Sequence, residues 1–69
     1  MNTWSDKLIE LSREYLNYDG IYVKSLNRQF GKLYIDYENS IYTIRLLNSN
    51  KTFTFNSVDE IINSGWVVD

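Results

Sequence analysis

Apolar positions along the first part of the chain repeat with the spacing of an α-helix. Trp4, Leu8, Leu11, Tyr15 and Tyr18 fall at i, i+4, i+7, i+11 and i+14 and form one continuous stripe. Ile9 and Leu16 widen that stripe, while Asp6, Lys7, Glu10, Arg13, Glu14 and Asn17 occupy the opposite side. The spacing predicts a helix over 3–17, with Thr3 as N-cap and Asp6 three residues on. Asp19-Gly20 supplies the stop, because Gly20 is free to take a positive φ.

After Ile21 the period changes from 3.6 to 2. Strands are predicted over 21–26, 32–38, 40–47 and 51–56, with Leu33, Ile35 and Tyr37 on one face of the second and Phe53 and Phe55 together on the fourth. A two-residue turn at Asn39-Ser40 pairs Leu33 with Leu46, Ile35 with Ile44 and Tyr37 with Tyr42. A second such turn at Ser49-Asn50 pairs Leu46 with Phe53 and Ile44 with Phe55. Both hairpins send the same side of the middle strand (Tyr42, Ile44, Leu46) to the core, and a slip of one residue in either would turn that side out.

The tail reads as a short helix. Ser57-Val58-Asp59-Glu60 is a capping box with acid in the first turn, where the helix dipole favours it. Gly65 stands at the C′ position, Trp66 can fold back over Ile61, and Trp66–Asp69 can add an edge strand. The expected architecture is one α+β domain over 1–69: an N-terminal helix, a four-stranded antiparallel meander, a short C-terminal helix and a terminal edge strand. The alternative is a helix leading into a small, bent barrel of the SH3 or Sm kind. The scarcity of glycine in the strands argues against tight barrel corners.

Composition narrows the chemistry. The 69 residues include no histidine, cysteine, proline or alanine. Disulfides, thiol nucleophiles, thiolate metal sites and imidazole acid–base chemistry are therefore excluded. A domain this small buries only about 60% of its unfolded surface. The aromatic side chains, 16% of the chain, take the place of staples in the core. No apolar run approaches a membrane span, and Met1–Asp6 lacks the basic segment and apolar core of a signal peptide. A cytoplasmic location is expected. Eight Asn, seven Ile and no Ala suggest an AT-rich coding sequence.

No catalytic constellation stands out. Asp36 and Glu38 share a strand face but read as solvated carboxylates, and three isolated glycines make no phosphate loop. No enzyme activity, cofactor or metal is implied. Lys24, Arg28 and Lys32 carry three positive charges with no acid between them, in a chain of net charge -2. With Tyr22 and Tyr34 on the outer sheet face, and Arg45 expected opposite Tyr34, this stretch would allow stacking of single-stranded bases. Overall acidity opposes that reading, since phosphate contacts need a surplus of cations. The same acidity is too slight for a mimic of DNA.

The class that remains is protein binding, self-association included. Tyr22, Lys24, Arg28, Phe30, Lys32, Tyr34 and Arg45 are the expected partner-binding residues, with Phe30 at a loop tip beside Arg28. Tyr, Phe and Arg are the types enriched at binding hot spots. In size, composition and outline the chain looks like the small accessory proteins of bacteriophages and mobile elements of low-GC bacteria. That group includes inhibitors of host defence such as anti-CRISPR proteins. The resemblance implies steric inhibition or regulation of a larger host protein; it rests on no motif and assigns no residue a role.

Overall fold

The computed structural model describes residues 4–69. In chain order these form α1 (Asp6–Tyr15), β1 (Tyr22–Ser25), β2 (Phe30–Asp36), β3 (Ile41–Leu46), β4 (Thr52–Phe55), α2 (Val58–Asn63) and β5 (Trp66–Val68). The strands make one antiparallel sheet of spatial order β4-β3-β2-β1-β5. The α+β order read from the sequence is the one observed, and the terminal strand pairs with β1.

The sheet is open in its hydrogen bonding but strongly bent. In a flat sheet, β4 and β5 would lie four strand spacings apart, about 19 Å. Instead, Phe53 of β4 and Trp66 of β5 have ring centroids 5.9 Å apart. Helix α2 touches both edge strands and spans the seam between them. Curvature of the barrel kind is thus present, without a β4–β5 ladder. Gly31 supplies the close approach that the bend needs. A Cβ there would sit 2.7 Å from Ile44 Cγ2 and 2.9 Å from the Arg45 carbonyl oxygen.

The concave side holds the core: Leu16, Val23, Leu33, Ile44, Leu46, Ile61 and Trp66, with Ile35, Tyr42, Phe53 and Phe55 packed around them. The faces of β2, β3 and β4 are therefore those expected, but both registers differ by two residues. Leu33 faces Ile44, Ile35 faces Tyr42, and Ile44 faces Phe53. A two-residue shift keeps every side chain on its face, which is why agreement between the hairpins could not detect it. The loops are longer than assumed because two-residue hairpin turns favour glycine and neither sequence has one. Around 37–40, Asp36 accepts bonds from the Asn39 backbone N–H (3.3 Å) and side-chain amide (2.8 Å), and Ser40 takes φ 55°. Around 47–50, the Leu46 N–H donates to the Lys51 carbonyl. Tyr37 consequently leaves β2 and the core. Its hydroxyl donates to the Asn17 carbonyl (2.8 Å) and accepts from the Asp19 N–H (3.0 Å), while Asp19 Oδ1 accepts from the Ile35 N–H (2.7 Å). The α1–β1 connection is thereby fastened along β2.

Helix α1 departs most from its expected orientation. Its cap is Ser5, whose hydroxyl accepts from the Leu8 N–H; the Thr3 cap lies outside the described residues. Ser12 and Leu16 are the fully buried positions, with Leu8 and Ile9 half-buried, while Leu11, Tyr15 and Tyr18 are exposed. The helix is rotated so that Ser12 meets β5. The Ser12 hydroxyl donates to the Leu8 carbonyl (2.8 Å) and accepts from the Val68 N–H (2.9 Å). Trp4 Nε1 donates to the Gly65 carbonyl (2.8 Å). At the other helix, Ser57 caps α2 by accepting from the Glu60 N–H, and Gly65 takes φ 96° at C′, as expected. Arg13 and Asp59 pair across the two helices on the surface.

These contacts set stability. Ser12→Ala strands the part-buried Val68 N–H and should cost about 1–3 kcal/mol in urea unfolding, with faster hydrogen exchange at that amide. Gly31→Ala must displace backbone as well as a methyl group, and a loss of about 1–3 kcal/mol is expected in the same measurement. The Asn39 side chain, followed by its backbone N–H, holds the Asp36 carboxyl below its ordinary value of 3.8. A carboxyl depressed in the folded state adds stability above its unfolded pKa and loses it as pH falls through the folded one. Asn39→Ala should raise the Asp36 titration midpoint, followed by NMR, and remove this increment.

Candidate functional site

The convex side of the sheet carries the side chains that alternate with the core. From β1 these are Tyr22 and Lys24; from β2, Phe30, Lys32 and Tyr34; from β3, Thr43 and Arg45. Period-2 alternation and the bend bring six of the seven sequence-selected residues onto this one surface, and Arg28 joins them at the β1–β2 turn.

Two placements differ from expectation. Phe30 is the first residue of β2, opposite Lys24, rather than a loop tip. Arg45 stands opposite Lys32 instead of Tyr34, a direct result of the two-residue shift; Tyr34 faces Thr43. The β1–β2 turn is a three-residue loop, Leu26-Asn27-Arg28, closed by the Ser25 N–H donating to the Gln29 carbonyl at 2.9 Å. Arg28 occupies its left-handed position with φ 62°, the place where such loops favour glycine.

The centre of the surface is the Lys32–Arg45 pair. Like charges directly opposite one another across two strands destabilise a sheet. Here the two side chains diverge. The Lys32 ammonium lies 5.6 Å from the Tyr22 ring centroid and 5.7 Å from that of Tyr34. The Arg45 guanidinium reaches the other way, towards Asn50 Oδ1 at 3.4 Å. Each cation is therefore held by a neutral neighbour, and neither has a carboxylate partner among the described ion pairs. An open depression beside them is lined by Lys32, Tyr34, Arg45 and the 46–50 loop. A second lies between Arg28, Phe30 and Leu47. Lys24 is engaged differently: its ammonium sits 5.4 Å over the Trp4 ring and 4.0 Å from the Asp69 carboxylate.

The sequence reading missed part of this surface. Leu11, Tyr15 and Tyr18 belong to the apolar helical stripe, yet they stand exposed, with the Tyr15 and Tyr18 rings 6.3 Å apart. Leu11, Tyr15, Ile21, Tyr22 and Val68 line an apolar depression that meets the convex face at Tyr22. The polar Ser12 between apolar neighbours was the available signal. A helix whose buried line includes a serine has a bonding task there, and its hydrophobic stripe is not wholly core.

Chemically, the arrangement offers apolar contact and positive charge. Tyrosine rings and aliphatic side chains present flat apolar surface, and the two adjacent cations are in none of the described ion pairs. Among the described residues no three acidic side chains gather into a metal-holding group, and no helix is long and apolar enough to cross a membrane. Comparison with protein-family models, curated proteins and solved structures finds no match.

The Arg28 geometry yields a prediction. Left-handed backbone costs a non-glycine residue about 1–2 kcal/mol. Arg28→Gly should therefore raise stability, by about 1 kcal/mol in urea unfolding. An unchanged or lower stability would mean that the arginine side chain has contacts that offset the strain.

Proposed function

We propose that this protein is a non-enzymatic binding module that docks onto a larger protein through its convex sheet face and restrains that partner sterically. The observation that carries the reading is the uncovered Lys32–Arg45 pair, framed by Tyr22 and Tyr34. Two like charges are kept side by side at some cost to the sheet. A pair of carboxylates on the partner would neutralise both. Phe30 and Leu47 on one flank, and Leu11, Tyr15 and Ile21 on the other, supply apolar contact around that centre. A small bent sheet fastened at the Ser12 and Tyr37 hydroxyls loses little freedom on docking, which favours affinity. An accessory protein that inhibits or regulates a host enzyme, including a host-defence enzyme, would need these properties in a cytoplasmic setting.

A second reading has its own support. Two tyrosine rings flanking a lysine on an exposed sheet can stack single-stranded bases. The apolar depression around Leu11 and Val68 favours a protein, because bases and phosphates would leave it unused.

The readings separate in two measurements. Arg45→Glu replaces a like-charge cross-strand pair with an opposite one, so stability should hold or rise by about 0.2–1 kcal/mol. Combined with Phe30→Ala it should abolish capture of the protein that the wild type retains from lysate of its host. Unimpaired capture would move the contact elsewhere. Fluorescence titration with single-stranded oligonucleotides at low salt should show no binding; micromolar binding that weakens steeply with salt would transfer the function to nucleic acid.

A further inference from the structure

The two edges of the sheet are treated differently. At β5 the outward Val68 N–H is taken by Ser12, and α1 lies along the strand. At β4 helix α2 touches the strand, but no described side chain bonds to its outward main-chain groups. The Leu46 N–H bonds to the Lys51 carbonyl, so antiparallel alternation directs the main-chain groups of Phe53 and Phe55 towards β3. The N–H and C=O groups of Thr52 and Thr54 then point outward, and no described residue bonds to them. Natural edge strands are usually blunted by proline, charge, a bulge or a covering element. Residues 52–58, Thr-Phe-Thr-Phe-Asn-Ser-Val, contain no proline and no charge.

We infer that β4 is the contact strand of a two-fold symmetric dimer in which two copies pair edge to edge into a ten-stranded sheet. An unpaired antiparallel edge is complementary to itself, since a two-fold axis turns each outward donor towards an acceptor. The pairing that uses both threonines places Phe53 against Phe53 of the second copy on the axis. Thr52 then exchanges both main-chain hydrogen bonds with Thr54 of the second copy, and the reverse pair repeats this. Phe53 and Phe55, half-buried at the rim of the core, gain an aromatic cross-strand contact. The same register brings Lys51 opposite Phe55 of the second copy. The acidic first turn of the second copy's α2, with Asp59 and Glu60, begins a few residues further along. Asp59 pairs with Arg13 of its own chain, which leaves Glu60 to meet Lys51, and symmetry provides that pairing twice. The convex face stays uncovered, so the dimer would present two copies of the proposed docking surface while not depending on it.

Sedimentation equilibrium tests this directly. The wild type should pass from 8.2 kDa to twice that mass with a dissociation constant on the order of tens of micromolar. Thr54→Pro removes an outward N–H and no internal bond. It should weaken the dimer about tenfold or more while the far-ultraviolet spectrum and unfolding midpoint stay near wild type. Should that variant fail to fold, Thr52→Lys with Thr54→Lys carries the same test through edge charge. Lys51→Glu should weaken association several-fold at low salt, and an unchanged affinity would overturn the register. A monomer at all concentrations up to about 1 mM would overturn the dimer. So would a dimer that survives both edge variants, or one abolished by Arg45→Glu.

Discussion

The rest of the molecule depends on how its last strand is held. β5 has three residues, too few to stay in a sheet by one ladder alone. On one side it bonds to β1; on the other its Val68 N–H bonds to the Ser12 hydroxyl, and Trp4 holds the Gly65 carbonyl just before it. This attachment fixes the rotation of α1. It also seats Trp66 in the core against Phe53, which closes the bend of the sheet under α2. A chain without cysteine joins its first helix to its last strand in this way, by one hydroxyl, one indole and one buried ring.

Several surface properties follow from that attachment. With Ser12 directed at β5, Leu11 and Tyr15 must face outward, and they extend the convex aromatic surface around Tyr22. With α1 lying on β5 its Val68 N–H is taken, whereas no described residue bonds to the outward main-chain groups of Thr52 and Thr54 in β4. The bend separates a concave core from a convex face on which lysine, arginine and tyrosine lie together. Both the exposed convex face and the unbonded β4 edge are consequences of where stability was obtained.

The sequence reading succeeded where periodicity alone decides. Alternation in 32–38 and 40–47 identified which side chains enter the core, because a strand has only two faces. It failed by two residues in register, because both alternatives bury the same side and only the turn discriminates between them. Asn39-Ser40 forms part of a four-residue loop held by the Asp36 carboxylate, an arrangement with little signature in hydropathy. That shift moved Arg45 from Tyr34 to Lys32 and turned an ordinary cation–aromatic pair into a doubly cationic site. The rotation of α1 was hidden for a related reason. A stripe of apolar residues shows that a helix has a sticky side, and does not say that a serine within it will be needed by a strand fifty-six positions away.

The sequence by itself determined the order of elements, the inward faces of β1 to β4, the caps of α2 and the exclusion of thiol and imidazole chemistry. These depend on neighbours within a few residues, whose interactions are encoded by spacing and residue type. Tertiary structure alone decided the hairpin registers, the bend at Gly31, the helix face presented to the sheet and the difference between the two edges. Each of these rests on a contact between distant segments, namely a methyl group against a carbonyl, a hydroxyl against an amide, or a ring against a ring. Their geometry exists only once the chain has closed on itself.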